Sequence, residues 1–168
     1  MSADRAPILV IAVGNPSRGD DALGPMLAER LEAWAAPDVE VLTDFQLQVE
    51  HALDLAGREL VIFIDAGVAT WAPYEVRSVE PDGSPTHTSH ALSPETVLAV
   101  CARLVDTPLP VALLLCVRGE SFGLGEPLSA AGRRHVEAAW PELQHLCQSR
   151  AIRRNMASRR SGAEHAGM

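Results

Sequence analysis

The chain has 168 residues, 47% of them apolar, and a formal net charge of −8, enough for one domain with a substantial core. Residues 1–149 carry nine Arg and no Lys against 21 acidic residues, a net of −12, whereas residues 150–168 carry five Arg against one acid, a net of +4. So acidic a body argues against nucleic-acid binding, which rests on phosphate neutralisation. The Arg-rich tail could serve as a weak nucleic-acid or partner arm, but it lacks apolar periodicity and reads as a disordered extension.

The three cysteines, Cys101, Cys116 and Cys147, are widely spaced and form no CxxC pair. That pattern points to a reducing compartment and away from a structural zinc site. The first apolar run, from Pro7, is about seven residues long, too short for a signal core or a membrane span. A cytoplasmic protein is expected.

In chain order, Ile8 to Val13 is a continuous aliphatic run, the kind buried on both faces of a parallel sheet. The turn that follows, Val13 to Gly24 (VGNPSRGDDALG), has the phosphate-loop glycine spacing at Gly14 and Gly19. Where a phosphate loop continues with Lys and Ser or Thr, this one continues Asp20-Asp21. Two carboxylates would repel a phosphate and attract a cation. A helix is expected from about Asp21 to Ala35, with Leu23, Met26, Leu27, Leu31 and Trp34 at helical spacing and Pro37 as its stop. Val39 to Thr43 alternates and predicts a second strand ending at Asp44. Gln46 to Ala56 predicts a helix stopped by Gly57.

Leu60 to Ile64 predicts a third strand that stops at Asp65, and Tyr74 to Val79 a fourth, at an edge. Asp82 to His90 is a polar loop. Ser93-Pro94-Glu95 then opens a helix, with Ser as N-cap and Pro at the first helical position. Val111 to Val117 predicts a buried strand in which Cys116 reads as core. Ser129 caps a last helix from about Ala130 to Leu146, with a bend expected near Pro141. Strands and helices alternate without a linker or repeat. The expected fold is therefore a single-domain, three-layer α/β sandwich over residues 1–149, a mostly parallel twisted sheet with helices on both faces.

In such sheets the working residues gather outside the carboxyl ends of the strands. Those positions hold Asp20 and Asp21, then Asp44, then Asp65, and the loop after the fourth strand holds His87 and His90. Asp21, Asp65 and His90 can converge on one rim, and two carboxylates with one imidazole suit a divalent cation such as Zn, Ni, Fe or Mn. Each residue also has a plainer reading. One of Asp20 and Asp21 can serve only as a helix cap, Asp44 and Asp65 can bond loop amides, His87 reads as solvated, and His90 can order its loop.

GNPSRGDDALG, the IDAG that closes an aliphatic strand, and SHALSPE together resemble the nickel-iron hydrogenase maturation protease family, over roughly Ile8 to Val136. The resemblance implies an endopeptidase that removes the C-terminal extension of a hydrogenase large-subunit precursor after nickel has been loaded. It implies Asp21, Asp65 and His90 as the nickel-contacting residues and Asp44 as a further acid near the cleft. The nickel is then carried by the substrate, and no organic cofactor is called for. Relatives often have Glu at the first position, so Asp21 is one methylene shorter. DFQLQVEHALDL resembles a subgroup serving NAD-linked bidirectional hydrogenases. The sequence offers no covalent nucleophile, since no Ser sits in a GxSxG elbow and Cys101 falls within a helix. Two other readings are a nonenzymatic nickel-binding chaperone with the same triad and a nucleotide-binding module using Gly14. The missing Lys and the paired Asp argue against the second.

Overall fold

The aliphatic runs read from the sequence all form strands, because each is bounded by glycine, proline or a polar residue that ends the ladder. The computed structural model describes residues 5–84 and 92–149; the expected tail from 150 to 168 and both loop histidines, His87 and His90, lie outside the described residues. The strands are β1 (Ile8–Val13), β2 (Val39–Asp44), β3 (Leu60–Gly67), β4 (Tyr74–Ser78) and β5 (Val111–Arg118). The helices are α1 (Leu23–Trp34), α2 (His51–Leu55), α3 (Pro94–Leu104) and α4 (Ala130–Gln148). The sheet order is β2-β1-β3-β5-β4, with four parallel strands and β4 antiparallel at the edge beside β5. This is the mostly parallel α/β architecture that the alternation predicts.

Alternation of side chains along each strand divides the core into two layers. Ile8, Val10, Ile62, Ile64, Leu113 and Leu115 pack under α1 and α4, against Leu23, Leu27, Val136 and Leu143. Leu9, Ile11, Val61, Phe63 and Ala112 pack on the opposite face, against Ala52, Leu55, Val97 and Leu98. The first layer is closed at its rim by an edge-to-face pair, Trp34 and Trp140, with centroids 5.9 Å apart. Arg30 lies 4.8 Å over the Trp140 ring and pairs with Glu137 at 2.9 Å, linking α1 to α4.

Ser93 Oγ accepts from the Thr96 amide and Ser129 Oγ from the Gly132 amide, as the capping pattern predicts. Four boundaries differ from expectation. The helix expected over Gln46 to Ala56 forms only at His51–Leu55, because the Asp44 carboxylate takes the Phe45 amide and His51 Nδ1 takes the Gln48 amide. Side chains thereby hold the backbone in a turn where a helix would otherwise start. The first helix is preceded by a tighter 3-10 turn, Gly19–Ala22. β3 runs past Ile64 to Gly67, since β5 keeps pairing with it through Arg118, so Asp65 is a strand residue. α4 continues through Pro141 to Gln148, held by buried Leu143 and Leu146.

Arg58 fastens the amino-terminal edge. It is only 5% exposed, donates to the carbonyls of Asp54 and Ala6, and pairs with Glu40 at 2.7 Å. No disulfide joins Cys101, Cys116 and Cys147, and no helix among the described residues is long and apolar enough to cross a membrane. Arg58→Ala leaves two carbonyls and a carboxylate without their donor, so it is expected to lower stability by ~2 kcal/mol in chemical denaturation.

Candidate active site at the carboxyl edge of the sheet

The register of the strands arranges the acidic residues. Val13 lies opposite Asp44, Asp65 opposite Cys116, and Cys116 opposite Glu75. The β1–β3 ladder ends at Ala12 opposite Ile64, so the next row runs from Asp44 through Val13 and Asp65 to Cys116. Neighbouring strands are about 4.8 Å apart, which puts the Asp44 and Asp65 backbones about 10 Å apart with Val13 between them. Asp65 follows Val61 and Phe63 in alternation, so it faces the α2–α3 side. Asp44 follows Leu42 onto that same side.

Asp21 comes to this edge through the turn after β1. The turn is tied internally: Asn15 Oδ1 accepts from the Ser17 amide, Asn15 O from the Arg18 amide, and Arg18 O from the Asp21 amide. Asp21 Oδ2 accepts from the Asn15 amide at 2.7 Å. Two glycines permit this folding back. Gly14 has φ +150°, and a Cβ there would run into the Asp21 carbonyl; a Cβ on Gly24 would stand 2.8 Å from the Val13 carbonyl oxygen. The first turn of α1 thus lies directly on the end of β1.

Asp21 and Asp65 repel one another. Burial pushes the Asp65 carboxyl up, the Ala66 amide pulls it back, and the Asp21 charge pushes it up further, to about 6. Such a pair is poised for a cation, which would relieve both the desolvation and the repulsion. Among the described residues no three His, Cys, Asp or Glu side chains close into a metal cage. The described residues supply the two carboxylates of the expected triad, and the third member, His90, lies outside them.

Asp20 has a different task. It is fully buried, and its carboxylate accepts from the amides of Glu120, Ser121 and Ser129 and from the Ser129 hydroxyl, at 2.6–3.2 Å. Burial alone would raise its pKa, but these four bonds outweigh burial and hold it below the usual carboxylate range. Neither Asp20 nor Asp21 caps α1 with its side chain. Asp20 anchors the loop between β5 and α4 instead. Ser129 carries the link onward, since the hydroxyl that donates to Asp20 also accepts from Gly132 at the start of α4.

Asp44 ends β2 with Oδ1 on the Phe45 amide at 2.7 Å and Oδ2 3.6 Å from His51 Nε2. With Gly14, Pro16, Pro25, Thr43 and Phe45 it lines an open pocket of about 300 Å³. His51 is a residue that the sequence reading missed; its one signal was a histidine seven positions past a strand-end acid. Cys116 corrects the expectation of a core thiol. It is half-buried beside Asp65 and shares a 2.8 Å hydrogen bond with Thr70 Oγ1. Burial, with Asp65 and Glu75 nearby, pushes its pKa up against the opposing effects of Thr70 and Arg77, so it is a neutral thiol.

Two stability measurements follow from these carboxylates. For Asp65 the folded pKa of about 6 exceeds the ordinary aspartate value of 3.8, so the folded protein holds the extra proton between those values and loses stability as pH rises through them. Asp65→Asn is therefore expected to stabilise the metal-free protein by ~1–2 kcal/mol at pH 7.5, with the gain vanishing below pH 4. Asp20 has the opposite sign: its folded pKa is lowered, so its contribution is present above the unfolded value and is lost as pH falls through the folded one. Asp20→Ala is expected to destabilise by ~3 kcal/mol or more at neutral pH and to raise amide exchange in residues 119–129.

No protein-family model matches the chain, and no curated protein matches it by sequence. Solved structures do. The hydrogenase maturating endopeptidase HybD of E. coli superposes with a TM-score of 0.65 at 26% identity, over 81% of this chain and 88% of that one. The nickel-iron hydrogenase maturation protease HycI of Thermococcus kodakarensis gives 0.67 at 23% identity, over 88% and 96%. The hydrogenase 2 maturation peptidase of a Thaumarchaeota archaeon gives 0.60 at 23%, over 84% and 97%. The GNPSRGDDALG turn and the IDAG strand end both lie at the carboxyl edge of the fold that this chain shares with the nickel-iron hydrogenase maturation proteases.

Proposed function

We propose that the protein is an endopeptidase that removes the C-terminal extension of a nickel-loaded hydrogenase large-subunit precursor, with the substrate's nickel as its recognition signal. The observation that carries this reading is the Asp21–Asp65 pair, two carboxylates held close enough for one to raise the pKa of the other at an open sheet edge. They and His90 would complete the coordination of a cation presented by the substrate. An all-oxygen-and-imidazole donor set leaves positions for substrate ligands and, lacking a thiolate, holds free nickel weakly. Such a site docks on a loaded precursor without stripping it.

The nickel, when presented, would anchor the substrate at Asp21 and Asp65 and so fix which peptide bond reaches Asp44. Asp44, about two strand spacings away across the row, would serve as general base. It takes a proton from water, and the hydroxide oxygen adds to the carbonyl carbon. The carbon–nitrogen bond then breaks, and the proton passes from Asp44 to the leaving nitrogen. The products are a new carboxyl terminus and a free peptide amine. Covalent catalysis is disfavoured, because Cys101 is buried in α3 and Cys116 is a neutral thiol bonded to Thr70. This reading assigns the reaction to the cytoplasm.

The test incubates the protein with nickel-loaded and nickel-free precursor and measures product masses. Loss of a C-terminal peptide from the loaded form alone is the expected result. Equal cleavage of both forms would overturn nickel as the signal, and binding without any mass change would make the protein a chaperone. Asp65→Ala, Asp21→Ala and His90→Ala are each expected to lower processing at least ~100-fold with unchanged circular dichroism. A fully active His90→Ala protein would remove that residue from the site.

A further inference from the structure

We propose that His51 is a positioning residue that aims the Asp44 carboxylate through its Nε2–H, an inference that rests on Asp44 as the general base. His51 opens α2 and is 8% exposed, between the core residues Ala52 and Leu55 and the end of β2. Its ring is held at one nitrogen and faces a carboxylate with the other. Nδ1 accepts from the Gln48 amide at 2.8 Å, which leaves the hydrogen on Nε2. That nitrogen faces Asp44 Oδ2 at 3.6 Å.

The 3.6 Å separation exceeds a formed hydrogen bond, and catalytic contacts of this kind tighten when substrate binds. The other oxygen of Asp44 is already fixed by the Phe45 amide at 2.7 Å. A hydrogen from His51 on Oδ2 would therefore lock the carboxylate plane while leaving lone pairs for a water in the open pocket. Tying the turn at Gln48 needs only an acceptor, which Asn, Asp or Ser supplies. Imidazole adds a second, oppositely directed nitrogen, and that nitrogen is aimed at Asp44.

The two roles separate by substitution. Asn in place of His51 keeps an acceptor where Nδ1 stands, and Gln keeps a donor where Nε2 stands. Processing of nickel-loaded precursor by the full chain is measured for wild type, His51→Asn and His51→Gln, with Tm recorded for each. His51→Asn is expected to lose kcat about 30-fold with little change in KM, and His51→Gln to stay within about 5-fold of wild type. Wild-type kcat in His51→Asn, or equal losses in both variants, overturns the proposal. Nitrogen NMR of the full chain adds a readout that needs no substrate. An Nε2–H tautomer whose resonance moves in Asp44→Asn supports the contact, and an Nδ1–H tautomer or an unmoved resonance sinks it. A wild type that cleaves nothing would fail the endopeptidase reading itself, while the NMR result would still judge the contact.

Discussion

A single buried carboxylate organises the carboxyl edge of the sheet in this protein. Asp20 takes four hydrogen bonds from the segment between β5 and α4, a hundred residues further along the chain. The tie is reinforced by backbone: the Asp20 amide donates to Ser121 O, the Gly19 amide to Glu126 O, and the Gly125 amide to Ser17 O. The fit is close enough that a Cβ on Gly132 would stand 2.5 Å from Asp20 Oδ1. An ionised group buried this completely is tolerated only because its acceptor capacity is filled. Its neighbour Asp21 is thereby fixed at the rim, with its own carboxylate free of that structural work.

The pair Asp20-Asp21 thus divides two opposite uses of negative charge. Donors surround Asp20 and hold it ionised, whereas Asp21 faces a second carboxylate and strains it. Asp65 bears that strain, since β3 fixes its direction and its one amide bond is too little to offset burial. Such local conflict between neighbouring residues is typical of sites shaped for a ligand rather than for stability. The same edge exposes Phe45, Trp71 and Leu124, large apolar side chains in the segments that follow β2, β3 and β5.

How much of this was legible in the sequence depended on range. The strands were legible because continuous aliphatic runs such as Leu60 to Ile64 can be satisfied only by burial on both faces. The caps at Ser93 and Ser129 were legible because they act on residues three positions away. Asp21 and Asp65 could be picked out because both stand at or just after a predicted strand end. The partners of Asp20 were not legible, since nothing local connects an acid at 20 to amides at 120, 121 and 129. The short α2 escaped for a related reason: the apolar positions in Gln46–Ala56 fit a helix, but Asp44 and His51 captured its first amides. Cys116 read as core because its strand is aliphatic, and only the register of β5 against Asp65 reveals its polar neighbour. The role of His90 rests on the sequence motif.

The row across the sheet has one more consequence. Asp44 and Asp65 are separated by two strand spacings, about 10 Å, close to the span of three extended residues. Backbone hydrogen bonds set that interval, so side-chain replacements along the row leave it unchanged. On the proposed reading, one end of the interval grips a metal-bearing residue and the other addresses the bond to be cut. The sheet then works as a fixed caliper, measuring distance from the metal along the bound strand rather than reading the amino acids in between.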